Sequence, residues 1–298
     1  VIFSRKNGSQ GIFLFLLLGL CSGTVWAQPG SGRIRDRVEE VDPEVGAQML
    51  KALRNSRYAG DFIFEYELRH FPHRGSTRLY RGTIFGTWND TGNLMRINIE
   101  NTPVGVADDS TEYDTIKFLI QNGSKRWIAH YRDTLDAPEL LKGEALMEPL
   151  VPGLTYTPFD LQMPFLFWDE YEYEGAERIK GRPAHQFLMF PPDEIQSIAP
   201  ELKAVRIALD ENYMALLRVE FLDQADEVFK SFRILNFKKV ADEWIVKSID
   251  LVDEQTREKT RFRIVSAAMN EKLDPANFRI DALKEPLIYP ASVNFDSL

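Results

Sequence analysis

The chain has 298 residues, 44% hydrophobic and 12% aromatic, with a formal net charge of −9. That composition excludes extensive disorder, and a chain this acidic is a poor general binder of nucleic acid or anionic membrane surfaces. With Cys21 as its one cysteine, the chain has no internal disulfide framework.

Residues 1–27 read as a secretory signal peptide. Arg5 and Lys6 make the basic start, Gly11–Leu20 the apolar core, and Val25-Trp26-Ala27 supplies small residues where a signal peptidase reads. The apolar run is too short to span a bilayer, which takes about 20 residues. Cys21 raises the alternative of an acylated lipoprotein, but Leu20 stands where lipobox sequences carry a small residue. The expectation is cleavage after Ala27 and a soluble exported protein without cysteine. Cleavage would also remove two basic and no acidic residues, leaving a more acidic chain. At about 270 residues, roughly three quarters of the unfolded surface can be buried in one core.

Residues 28–41 are polar and charged and read as a flexible leader. Asp42-Pro43-Glu44 is a helix start, and Val45, Met49, Leu50 and Leu53 follow at helical spacing, which predicts an amphipathic helix over 43–57. In DFIFEYELRHF, Phe62, Phe64, Tyr66 and Leu68 share one face of a strand. Further strands are predicted at 77–88, 94–100, 114–121 and 125–132, with Asn122-Gly123 as a tight hairpin turn. Residues 136–147 read as a short helix, capped by Asp136 with Pro138 in its first turn.

The stretch 148–168 breaks the alternation. Pro149, Pro152, Pro158 and Pro164 punctuate it, and it ends in Met163-Pro164-Phe165-Leu166-Phe167-Trp168, so it reads as a long connection followed by a short apolar helix or loop. YEYEGAERI and RPAHQFLMF then form a hairpin turning at Lys180-Gly181, and PPDEIQSIAP leads onward. Over 203–278 come KAVRIALD, ALLRVEFLD, VFKSFRILNF, EWIVKSIDLV and KTRFRIVS, closed by MNEKLDPANF. Short polar breaks at Asp210-Glu211-Asn212, Gln224-Ala225-Asp226, Ala241-Asp242-Glu243 and Asp253-Glu254-Gln255 leave no room for crossover helices. The fold class is therefore mainly β with a few helices, an antiparallel meander, and residues 42–298 read as one domain.

Catalytic signatures do not assemble: no Gly-x-Ser-x-Gly, P-loop or dinucleotide fingerprint occurs, so neither an enzyme nor a cofactor is expected. His70 and His73 have a chelating spacing, but Pro72 lies between them and nothing completes a metal site, so they read as a solvent-facing strand end. His130 and His185 sit inside strand patterns. The run Asp169–Glu174 alternates Glu with Tyr, which fits a strand with one charged face. Asn89-Asp90-Thr91 and Asn122-Gly123-Ser124 match glycosylation sequons and are equally plain turn sequences.

What remains is apolar. A strongly curved antiparallel sheet has a concave face too wide for its own side chains to fill. The candidate lining of such a face is Phe62, Phe64, Tyr66, Trp127, Met163, Phe165, Phe167, Trp168, Ile207, Phe232, Ile234 and Phe262. Such a lining suits an acyl chain, since each methylene leaving water contributes about 0.8 kcal/mol. The bland alternative is that the 163–168 cluster caps the sheet as ordinary core.

Ile179-Lys180-Gly181-Arg182-Pro183-Ala184 opens a cadence that continues with Ile207 and Leu209, Trp244-Ile245-Val246 with Ile249, and Lys259-Thr260-Arg261-Phe262. It ends at Leu273-Asp274-Pro275-Ala276-Asn277-Phe278. This cadence resembles bacterial outer-membrane lipoprotein-sorting proteins of the LolA-like and LolB-like group. The resemblance implies an unclosed β-barrel with helices on its concave side and a hydrophobic cavity between them. It also implies lipids or lipoprotein acyl chains as cargo, with an inner-membrane transporter and an outer-membrane acceptor as partners. The 148–168 insert has no clear counterpart in that group, and no arginine here matches the carriers' ligand-contacting one. A second reading is an envelope interaction protein, a partner of a transporter or stress-sensing complex, whose interior is filled by its own side chains.

Overall fold

The computed structural model describes residues 42–100, 115–151, 153–179, 181–211 and 215–298. The expected signal peptide and leader lie outside these residues, as do Asp114, Lys180 and Asn212 of the expected strand and turns.

Helix α1 (Pro43–Arg54) starts where the Asp42 carboxylate accepts the Glu44 N–H at 2.9 Å, with Pro43 at its first position. It buries Met49, Leu50 and Leu53 and stops at Asn55, short of the expected end. Six strands follow: β1 (Asp61–Phe71), β2 (Arg78–Trp88), β3 (Asn93–Glu100), β4 (Thr115–Gln121), β5 (Trp127–Tyr131) and the short β6 (Glu139–Leu140). After a connection holding α2 (Pro158–Gln162) come β7 (Tyr171–Ile179) and β8 (Arg182–Met189), then α3 (Asp193–Gln196). The last run is β9 (Ala204–Asp210), β10 (Leu216–Leu222), β11 (Val228–Val240), β12 (Glu243–Asp253), β13 (Lys259–Glu271) and a terminal β14 (Asp296–Ser297).

All of these strands belong to one antiparallel sheet, in the order β6-β5-β4-β3-β2-β1-β13-β12-β11-β10-β9-β8-β7, with β14 on β13. Each half is an up-and-down meander. The halves are joined by their first and last strands, β1 and β13, which pair from Asp61↔Glu271 to Phe71↔Lys259. The sheet curves without closing, and its free edges are β6 and β7. The chain between those edges, residues 141–170, must therefore travel from one side of the opening to the other.

The concave face carries the main core, including Phe64, Phe118, Phe187, Ile207, Phe232 and Ile264. Curvature is helped at β2, where Gly86 and Gly82 stand opposite Phe62 and Tyr66 in register. A Cβ on Gly86 would lie 2.0 Å from the Phe62 ring, and one on Gly82 would lie 2.4 Å from the Tyr66 hydroxyl. The two rings thus fold over bare backbone, the arrangement that rescues a strand glycine. The convex face is wrapped by residues 273–293, which cover Ile63, Phe85, Ala268 and, farther along, Leu94, Leu119 and Ala129. Beneath this wrap Arg96 is 1% exposed. It donates to the Asn277 and Glu285 carbonyls, and burial pushes its pKa down to about 10 against the opposing pull of Glu285.

Three expectations are corrected here. Residues 136–147 form no α-helix: Glu139-Leu140 pairs with β5, and a single 3-10 turn spans Gly143–Leu146. Gly143 adopts φ 59°, which breaks a right-handed helix. The turn at Asn122-Gly123 is not a two-residue hairpin, because Gln121 pairs with Trp127 and five residues intervene. Gly123 is there for close approach: a Cβ would stand 2.0 Å from the Thr91 carbonyl oxygen. His70 is not solvent-facing but 2% exposed, with Nδ1 3.0 Å from the Thr260 hydroxyl. It continues the inward parity of Phe64, Tyr66 and Leu68 along β1. By contrast, Ala241-Asp242 is the tight β11–β12 turn, with both residues at positive φ as such turns require.

Candidate functional site

The connection between the free edges enters the concave side as a plug. Thr157 caps α2, its hydroxyl accepting the Asp160 N–H at 3.2 Å while the Asp160 carboxylate accepts the Thr157 N–H at 2.9 Å. Asp160 is 0% exposed, and Lys230 Nζ reaches its Oδ2 from β11 at 2.5 Å. The other oxygen, Oδ1, is buried with no hydrogen-bond partner among the described residues. Gln162 Nε2 donates to the carbonyls of Gln121 and Trp127 at 3.1 and 3.3 Å. Met163 then takes a left-handed conformation at φ 49° and ψ 53°, a non-glycine strain of about 1–3 kcal/mol that turns the chain sharply. Pro164–Phe167 follows as one 3-10 turn.

Aromatic rings fasten the plug to the sheet. Phe165 meets Phe221 edge-on at 5.7 Å between centroids, and Phe159 and Trp168 each lie 6.3 Å from Phe165. Such pairs add about 0.5–1.5 kcal/mol beyond area burial. From α1, Arg54 Nε donates to the Leu166 carbonyl at 2.7 Å, and its Nη2 donates to the carbonyl of Trp168. Trp168 Nε1 is buried with no hydrogen-bond partner among the described residues.

Between plug and sheet lies a narrow apolar cleft of about 40 Å³. The plug contributes Leu161, Met163 and Leu166 to it, facing Val219, Phe232 and Ile249 of the sheet. Of the residues expected to line a cavity, Met163, Phe232 and Ile234 border this cleft. Phe62, Phe64, Tyr66, Phe165, Trp168, Ile207 and Phe262 are buried in the surrounding core, with Phe167 packed against it. Trp127 departs from the expectation: it sits on the convex side with Leu119 and Ala129, because its neighbour Ile128 takes the inward parity of β5. The sequence reading missed Met95, Leu161, Leu166, Leu216, Val219, Val246 and Ile249. The alternation of β10 and β12 carried a signal for the last four, that of Met95, Ile97 and Ile99 carried one for Met95, and Leu166 lay inside the apolar 163–168 cluster, whereas Leu161 carried none.

The remaining candidates are structural. His185 Nδ1 lies 2.8 Å from the Tyr173 hydroxyl, and His130 Nε2 lies 2.9 Å from Glu139. Glu172 and Glu174 of β7 are exposed while Tyr171 and Tyr173 pack inward. Among the described residues no group of three His, Cys, Asp or Glu could hold a metal ion, and no helix is long and apolar enough to cross a membrane.

Several solved structures share this architecture. A domain from Vibrio parahaemolyticus described as an outer membrane lipoprotein-sorting protein is 19% identical, covering 81% of this chain and 97% of its own, with a TM-score of 0.64. A DUF1329 family protein from Desulfovibrio piger is 13% identical over 80% of this chain and 96% of its own, at 0.63. A LolA superfamily protein from Nitrosomonas europaea is 16% identical over 78% and 96%, at 0.56. No curated protein matches. A family model described as "Uncharacterized protein" with the suffix "-like" matches residues 112–285, more than half of the chain. The chain belongs to that family, and its fold is the open, curved sheet of the LolA superfamily and lipoprotein-sorting structures.

Proposed function

We propose that this protein is a periplasmic carrier that shelters acyl chains of lipids or lipoproteins between its curved sheet and the 157–168 plug, as one compact domain over 42–298 exported by its N-terminal segment. The observation that carries this reading is the plug itself, an apolar segment joining the two free edges across a lined apolar cleft.

Magnitudes favour exchange between plug and cargo. Moving about 15 methylenes out of water contributes about 12 kcal/mol. Lifting Phe159, Phe165 and Trp168 away costs about 2–3 kcal/mol each, and breaking the buried Asp160–Lys230 pair costs about 3–5 kcal/mol. The two sides agree within a few kcal/mol, so an acyl chain can replace the plug and later yield to it. Native mass spectrometry of protein purified from its source membrane fraction should reveal a bound lipid. Consistently empty protein under gentle conditions would refute the carrier reading.

One observation favours the second reading: with the plug seated, only about 40 Å³ is open to water-sized molecules. An envelope interaction protein with a filled interior would keep that state, and loosening the plug would then change stability without admitting ligand.

A further inference from the structure

On the far side of α2 lies a larger pocket of about 440 Å³, between the β4–β5 loop, the 140–146 segment and α3. That volume is within the range of small-molecule sites, about 300–1,000 Å³. Its floor is apolar, formed by Ile128, Leu141, Leu146, Phe159 and Ile195. Its rim carries Lys125, Arg126 and Lys142 against one carboxylate, Glu194. Lys125 and Lys142 are exposed, and Arg126 is held by Glu194 at 3.0 Å. That glutamate is 69% exposed, so the pair is a weak surface contact that an anion can replace. A cationic rim stands out on a chain whose net charge is −9.

Phe159 ties this pocket to the plug. Its ring forms part of the pocket floor and also lies 6.3 Å from both Phe165 and Trp168. A chain seated on the floor would therefore abut the residues that must move to open the interior.

We propose that this pocket is a docking site for an amphiphile with an anionic head and an acyl tail, the head on Lys125, Arg126 and Lys142 and the tail on the Phe159 floor. The inference rests on the carrier reading and names the charge class of cargo that would enter. A carboxylate and a phosphate head share the required chemistry, and a cationic head does not.

The test is titration calorimetry of the purified protein at low ionic strength, with sodium dodecanoate, dodecyl phosphate and dodecyltrimethylammonium, each below its micelle concentration. Both anionic chains should saturate one site, weaken with added salt, and lose about tenfold in affinity in K125Q/K142Q. Preference between the two anions identifies the head. Both lysines are exposed, so the variant should keep the unfolding midpoint of the parent protein. Equal binding of the cationic chain, or unchanged dodecanoate affinity in K125Q/K142Q, overturns the proposal. If native mass spectrometry finds a bound lipid while K125Q/K142Q binds dodecanoate normally, only this inference falls. If neither method finds any amphiphile, the carrier reading falls with it.

Discussion

The Asp160–Lys230 pair is the point at which plug and sheet are most directly coupled. Asp160 is 0% exposed and Lys230 18%, and one carboxylate oxygen already has no hydrogen-bond partner among the described residues. Lys230→Met leaves that carboxylate buried with only the Thr157 N–H and hydroxyl, each at 2.9 Å. Removing one member of a buried pair costs about 3–5 kcal/mol, and the surviving Thr157 bonds place this case near the lower end, about 3 kcal/mol. The double variant Asp160→Asn with Lys230→Met removes both charges and keeps an acceptor for Thr157. It should regain most of the loss and sit within about 1.5 kcal/mol of the parent. Urea unfolding at pH 7, with unchanged slopes, measures all four corners of the cycle. A loss below about 1 kcal/mol for Lys230→Met, or simple additivity in the double variant, would show that the pair does not hold the plug.

Phe165→Ala removes a fully buried ring from the centre of the plug and should cost about 3–5 kcal/mol. In the same variant a fluorescent fatty-acyl probe should reach the interior more readily; undiminished stability would contradict the packing. His70 and His185 are both held below the ordinary value of 6.5, burial being the main cause. Below that pH the unfolded chain binds protons the folded chain refuses, so stability should fall as pH drops from about 6.5 and level off below the folded values. His70→Gln should flatten that slope in unfolding curves taken from pH 7 to 5. Gly86→Ala forces a Cβ into the Phe62 ring and should cost about 1–3 kcal/mol by overpacking, seen as a lower denaturation midpoint.

Much of the fold was legible because strand alternation is local. Phe62, Phe64, Tyr66 and Leu68 declare their shared face within eight residues, and the short polar breaks of 203–278 left an antiparallel meander as the economical path. The resemblance carried by 179–278 added the open barrel that alternation alone does not specify. Errors came where a local rule met a distant surface. His70 looked like a strand end until Thr260, 190 residues away, gave its ring a buried partner. Gly123 looked like a hairpin turn, but its φ of 100° serves contact with Thr91.

The site was less legible than the sheet. The sequence marked 163–168 as apolar and non-strand, but whether it lines, plugs or merely caps depends on where the sheet's free edges fall. Pairing of β1 with β13 puts those edges at β6 and β7, and the connecting chain is thereby carried into the concave side. Alternation, capping and turns are written over a few neighbouring residues, so the sequence alone determined the long strands, α1 and the apolar character of the plug, and missed only the short β6 and β14. The closing pair, the latch between Asp160 and Lys230 and the cationic rim of the Phe159 pocket join residues far apart in the chain. Only the tertiary structure decided them, because each depends on which distant surfaces bury one another.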